Sequence, residues 1–264
     1  MNRKRAILVV SFGTSHAATR EKTIGAIETE IAAAFPDYEI RRAFTSGMIL
    51  KLLKKRDGIA IDTVAEAMER LASEGFQQVI IQPTHVINGE EYDDMAADAE
   101  QYRDRFEKIT IGAPLLTHTE DYRKVIHAVT EQLPGLDVQD ALVLMGHGTE
   151  HHANAVYAAL DYHFKDMGYS NVFVGTVEAY PDVHTMVRKV KEYQPKRITL
   201  LPLMVVAGDH AVNDMAGEEE DSWKEIFKKE GYEVSCILKG LGEFKSIREI
   251  YLDHLSEAMK QIQD

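Results

Sequence analysis

The chain has 264 residues, 45% of them hydrophobic and 28% charged, with a formal net charge of −13. A chain of this length buries roughly three quarters of its unfolded surface, so its core needs no staple, and the single Cys236 excludes an internal disulfide and fits a reducing, cytoplasmic compartment. No basic stretch extends beyond Lys51 to Arg56 and no apolar run reaches membrane-spanning length, which argues against nucleic-acid and membrane partners.

Behind the basic Asn2-Arg3-Lys4-Arg5, the run Ala6 to Ser11 is too short for a signal-peptide core and reads as a first strand. Short β-branched runs then alternate with charged segments of helical period, the pattern of parallel βαβ units. Strands are predicted at 5–11, 38–43, 77–83, 108–112, 140–146, 171–177, 196–203 and 232–238. Helices follow each strand, most clearly at 19–34, 62–74, 91–106, 120–132, 151–166, 182–193, 214–230 and 245–262. The run Lys51 to Arg56 reads as a solvated helix face, with contact to an anionic ligand as the alternative. The turn-rich connector Leu133-Pro134-Gly135-Leu136 divides the chain into halves 1–134 and 135–264, with the last helix, 245–262, free to pack on the first half. The expected class is therefore α/β, with a four-stranded parallel sheet in each half and a cleft between the halves.

The halves repeat each other. Pro83-Thr84-His85-Val86-Ile87-Asn88-Gly89-Glu90-Glu91 recurs as Pro202-Leu203-Met204-Val205-Val206-Ala207-Gly208-Asp209-His210, 119 residues later at both the proline and the glycine. Ser11-Phe12-Gly13-Thr14 likewise recurs as Gly146-His147-Gly148-Thr149. The second copy has gained imidazoles, because Phe12 becomes His147 and Glu91 becomes His210.

Ligands of open α/β sheets bind beyond the carboxyl ends of the strands, and ligand-type side chains stand at three such ends. His147 sits between two glycines after an apolar strand, where the bland alternative is a loop histidine bonded to its neighbours. Glu178 follows a stretch expected to be buried on both faces, where the alternative is a cap on the helix starting near Pro181. His210 follows the strand ending near Pro202. Two imidazoles and one carboxylate suit Fe²⁺, Co²⁺, Ni²⁺ or Zn²⁺ better than Mg²⁺ or Ca²⁺, and leave a coordination position open. Asp209, Glu90 and Glu91 are candidates to orient the imidazoles or relay protons. His147-Gly148-Thr149-Glu150-His151 also matches the inverted zinc-hydrolase signature H-x-x-E-H, but that signature needs both histidines on one helix and the glycines place His147 in a turn. The chain contains no Walker A loop, no G-x-G-x-x-G after the first strand and no G-x-S-x-G elbow, so nucleotide and serine-hydrolase readings lose their support.

Ser11-Phe12-Gly13-Thr14-Ser15, Ala43-Phe44-Thr45-Ser46-Gly47-Met48, Gly146-His147-Gly148, Val177-Glu178-Ala179-Tyr180-Pro181 and Ala207-Gly208-Asp209-His210 through Met215 resemble the anaerobic cobalt chelatases of the CbiK family. These belong to the class II chelatases that include protoporphyrin ferrochelatase, and the resemblance runs from the first strand to the last helix. It implies two Rossmann-like halves with a tetrapyrrole bound between them, and ATP-independent insertion of Co²⁺ into sirohydrochlorin on the way to cobalamin. Fe²⁺, Ni²⁺ or Zn²⁺ are further candidate metals, precorrin-2 is the alternative macrocycle, and a homo-oligomer is possible. By the same resemblance the metal ligands fall on His147, Glu178 and His210, with His147 also accepting pyrrole protons and Glu91 as a second acidic participant. Ser11, Phe12, Thr14, Phe44, Thr45, Ser46 and His85 would line the macrocycle. Because a polycarboxylate meets an acidic protein here, recognition is expected to rely on local donors such as Ser11, Thr14, Thr45 and Ser46. The competing functions are a tetrapyrrole or metal carrier without turnover and, more remotely, a zinc-dependent hydrolase.

Overall fold

The computed structural model describes residues 4–263, so Asn2 and Arg3 of the basic start lie outside it. In chain order the elements are β1 (Arg5–Ser11), α1 (Ala17–Arg20) running through a π-helical stretch (Glu21–Gly25) into α2 (Ala26–Ala34), β2 (Glu39–Phe44), α3 (Gly47–Asp57), α4 (Val64–Ser73), β3 (Gln78–Pro83), α5 (Glu90–Glu100) and β4 (Lys108–Ile111). There follow α6 (Thr119–Glu131), β5 (Asp140–Gly146), α7 (Ala155–Asp166), β6 (Val172–Thr176), α8 (Val183–Tyr193), β7 (Arg197–Pro202), a π-helical turn (His210–Met215), α9 (Trp223–Lys229), β8 (Glu233–Cys236) and α10 (Lys245–Gln263). No helix among the described residues is long and apolar enough to cross a membrane.

Two compact units result: Met1–Thr117 with Lys245–Asp264, and His118–Phe244. The division falls at 117/118 and not at the 133–136 connector, because α6 packs against α7, with the Tyr122 and His163 rings stacked 4.7 Å apart. α10 belongs to the first unit, where it lies against β3, β4 and α2 and is tied by Arg248 Nε to Glu30 Oε1 at 2.7 Å.

The first unit is a parallel sheet in the order β2-β1-β3-β4 and the second a parallel sheet in the order β6-β5-β7-β8. Both central strands are buried on both faces, which is why they read as continuous apolar runs. On one face Ala6, Leu8 and Val10 of β1 pack with Val64, Met68 and Leu71 of α4. The equivalent Ala141, Val143 and Met145 of β5 pack with Met186, Val187 and Val190 of α8. The repeat extends to register: Val10 stands opposite Pro83 and Met145 opposite Pro202. The next residue donates back in each case, Thr84 N–H to the Val10 carbonyl and Leu203 N–H to the Met145 carbonyl, both at 2.8 Å.

One helix forms on the run read as a solvated helix face, and one differs from expectation. α3 forms on the charged run because the Ser46 side chain accepts from the Ile49 N–H and Gly58 closes it in the left-handed conformation, while Ile49 and Leu53 bury one face. The single helix expected over 214–230 is instead a π-helical turn and α9. A Cβ at Gly217 would lie 2.2 Å from the Asn213 carbonyl oxygen, and Ser222 caps a new helix by accepting from the Glu225 N–H at 3.3 Å.

Candidate metal centre

Three loops of the second unit converge. β5 ends at Gly146, β6 at Thr176 and β7 at Pro202, and the backbone stitches the first two loops together: Val177 N–H donates to the Gly146 carbonyl at 3.0 Å and Glu178 N–H to the His147 carbonyl at 2.9 Å. Glycine is required on both sides of His147. At Gly146 a Cβ would meet the buried Tyr157 ring at 2.3 Å, and burial pushes the Tyr157 phenol up to about 12, so it stays protonated. Gly148 has φ +89°, and a Cβ there would lie 2.9 Å from the Ala179 nitrogen. A further tie is Asn154, whose Oδ1 accepts from the Thr149 N–H at 3.1 Å while its Nδ2 donates to the Tyr180 carbonyl at 2.6 Å.

The side chains meet as the strand-end argument expected. His147 Nδ1 lies 3.5 Å from Glu178 Oε2, and His210 Nε2 lies 3.8 Å from Glu178 Oε1. The two imidazoles stand edge-to-face with centroids 4.8 Å apart. One ligand atom from each of the three residues falls within 4.8 Å of the others, a separation a single ion can bridge. Glu178 is half exposed, not buried, because β6 ends two residues before it. A carbonyl oxygen can only accept, so in the 2.9 Å contact with the Gly148 carbonyl the Nδ1 of His147 donates and carries a proton.

Sequence reasoning missed Asp214. His210 opens the π-helical turn, and one turn on, Asp214 Oδ2 lies 2.8 Å from His210 Nδ1, directing Nε2 towards Glu178. Of the acidic residues considered for that role, Glu90 and Glu91 lie in the first turn of α5 in the other unit, both exposed. The only available signal was the four-residue spacing from His210 to Asp214.

In the first unit the equivalent positions hold different chemistry. Ser46 N–H donates to the Phe12 carbonyl at 3.2 Å as Glu178 N–H does to that of His147, so Phe12, Ser46 and Glu91 stand where His147, Glu178 and His210 stand. Of the residues expected to line a macrocycle, Phe12 is exposed, whereas Phe44 is fully buried beneath Gly13, where a Cβ would lie 2.5 Å from its ring. Ser11, Thr14 and Ser46 are buried and engaged within the unit: Ser11 Oγ accepts from Thr84 Oγ1 at 2.8 Å, Thr14 Oγ1 from the His16 N–H at 3.2 Å, and Ser46 caps α3. Thr45 Oγ1 and both ring nitrogens of His85 are sealed from water without a hydrogen-bond partner. His85 as a whole is only partly buried, but the loss of hydration at its nitrogens holds the imidazole down to about 4.

The H-x-x-E-H alternative does not take helical form. His147 to Glu150 is a loop, His151 precedes a short 3₁₀ turn, and α7 begins only at Ala155.

Comparison with known proteins fits this geometry. The chain is 44% identical over 256 residues to the sirohydrochlorin cobaltochelatase of Salmonella typhimurium, covering 97% of each chain. It is 32% identical over 267 residues to the sirohydrochlorin cobaltochelatase CbiKC of Nitratidesulfovibrio vulgaris, covering 99% of this chain and 93% of that one. The solved structure of SirB from Bacillus subtilis with Fe³⁺ shares the fold at a TM-score of 0.67 and 14% identity, covering 99% of this chain and 98% of that one. That of CbiX, described as the terminal enzyme for siroheme biosynthesis in denitrifying bacteria, shares it at 0.58 and 16%, covering 96% and 99%. The sequence profile of cobalt chelatase (CbiK) matches residues 5–260, and the chain belongs to that family.

Proposed function

We propose that the protein inserts Co²⁺ into sirohydrochlorin. The observation that carries this reading is the convergence of His147, Glu178 and His210, with ligand atoms within 4.8 Å of one another, in a member of the cobalt chelatase family. In the reaction two pyrrole N–H bonds break, metal–nitrogen bonds form, and two protons leave the macrocycle. Two imidazole nitrogens and a carboxylate match a borderline ion and replace part of its water shell while leaving positions for the incoming pyrrole nitrogens. As the metal transfers, Nε2 of His147 accepts one pyrrole proton, and water takes the other. An imidazole is suited to this because its ordinary pKa lies near neutrality.

The test is an anaerobic absorbance assay with sirohydrochlorin and, separately, Co²⁺, Fe²⁺, Ni²⁺ and Zn²⁺, against protein-free controls. Many turnovers per protein with Co²⁺ are expected. Metallation that stops at one equivalent would overturn the reading in favour of a carrier.

A further inference from the structure

The donors expected to receive the macrocycle's carboxylates are largely occupied. Ser11, Thr14 and Ser46 are buried and hydrogen-bonded within the unit. The arginines nearby are also held by carboxylates: Arg42 by Glu28, Arg41 by Glu74 and Arg70 by Asp62. By contrast Lys51, Lys54 and Lys55 on α3 are exposed, and no hydrogen bond or ion pair engages them among the described residues. In a chain of net charge −13, three adjacent unpaired cations are a local exception.

Their surroundings are apolar and adjoin the loop after β1. Helical spacing sets Met48, Lys51, Leu52 and Lys55 along one stripe about 10 Å long, with Lys54 beside it and the buried Ile49 and Leu53 behind. Met48 is 72% exposed and Leu52 38%, and Phe12, at 41%, lies in the loop to which α3 is fastened at both ends. Ser46 N–H donates to the Phe12 carbonyl at 3.2 Å, and Arg56 Nη2 donates to the Ser15 carbonyl at 2.5 Å. Phe12 also occupies the place in this unit that His147 occupies in the other. A flat apolar ring with carboxylate arms has the complementary pattern, apolar in the middle and anionic at the rim.

We propose that the exposed face of α3 receives the tetrapyrrole substrate, with Phe12, Met48 and Leu52 against the ring and Lys51, Lys54 and Lys55 on its carboxylate arms. The proposal rests on the chelatase reading and deepens it by giving the macrocycle a cationic contact. It also sets a direction for salt. The body of the protein repels the substrate, but short-range contacts to unpaired lysines are weakened by added salt within a Debye length of about 10 Å at 0.1 M.

The experiment combines Lys51→Gln, Lys54→Gln and Lys55→Gln in the full chain. The control neutralises the exposed Lys22, Lys196 and Lys239, which changes the net charge equally. Three exposed charge contacts predict a KM for sirohydrochlorin raised about tenfold at low salt, with a flattened salt dependence, unchanged kcat at saturating macrocycle and unchanged KM for Co²⁺. The control variant should stay within about twofold of the parent. Equal effects in both variants would reduce the result to net charge and overturn the proposal, as would a KM unaltered in the α3 variant. Quenching of macrocycle fluorescence gives Kd without turnover. If the parent binds the macrocycle but does not metallate it, the chelatase reading fails while the α3 contact is still decided by the shift in Kd.

Discussion

His210 is held from behind by Asp214, with its Nδ1 2.8 Å from the carboxylate, and presents Nε2 to Glu178. A carboxylate behind a ligating imidazole fixes its tautomer and raises its basicity, and removing such a partner typically weakens metal binding roughly 10–100-fold. Asp214→Asn should therefore lower Co²⁺ affinity by that factor in competition with a chromophoric chelator, with little change in thermal stability. An unchanged affinity would mean the pair is incidental. His147 is also the proposed proton acceptor, and general-base assistance is typically worth about 10²–10⁴ in rate. His147→Ala should lose at least that much in kcat at saturating Co²⁺, and near-parental turnover would remove His147 from the mechanism.

His85 supplies a pH dependence. Its folded pKa of about 4 lies below the ordinary histidine value, because burial penalises the charged ring. The unfolded chain therefore binds the extra proton between the two values, and the stability this group contributes is complete above about pH 6.5 and is lost as pH falls towards 4. The loss should be on the order of 3 kcal/mol. Urea unfolding at pH 7 and pH 5 should show about 2 kcal/mol of it in the parent and a smaller drop in His85→Leu; equal drops would contradict the assignment.

At the scale of elements, the site depends on tight turns after buried strands. Gly148 and Gly168 have nearly the same positive φ, +89° and +91°, but a Cβ at Gly148 would lie 2.9 Å from Ala179 and Thr176 atoms, whereas at Gly168 nothing lies within 4 Å. Gly168→Ala should therefore lose only the backbone term, about 1–2 kcal/mol, and keep parental Co²⁺ affinity. Gly148→Ala should lose more stability and also weaken Co²⁺ binding, since the clash separates the His147 and Glu178 loops. Similar effects of the two changes on Co²⁺ binding would show that the loop packing does not set the site.

These strand ends also explain what could be read from sequence. Strands such as β1 and β5 are buried on both faces and announce themselves as apolar runs, so the ligand-type residues just beyond them stand out. Asp214 did not stand out because its role depends on a π-helical turn that periodicity does not encode. Phe44 was expected at the macrocycle by the resemblance alone, yet the glycine at position 13 leaves room for its ring in the core. The unit division was misplaced because a turn-rich connector marks a change of direction and says nothing about which neighbour a helix such as α6 packs on.

At the scale of the molecule, one βαβ plan is used twice. The strand orders match, Pro83 and Pro202 hold the same register, and the hydrogen bonds that fix the loops recur with the same donors. Against that common frame three positions diverge: Phe12, Ser46 and Glu91 in one unit, His147, Glu178 and His210 in the other. In the proposed reading the imidazole-rich set serves the metal in the second unit, while Phe12, beside the unpaired lysines of α3, serves the organic substrate in the first.

The central claim is that Co²⁺ is taken by those three side chains before transfer. X-ray absorption at the cobalt K-edge of protein carrying one equivalent of Co²⁺ tests it most directly. The account predicts two imidazole nitrogens and carboxylate and water oxygens in the first shell, with one imidazole's scattering lost in His147→Ala and again in His210→Ala. A shell of oxygens alone, or a spectrum indifferent to both substitutions, would contradict it.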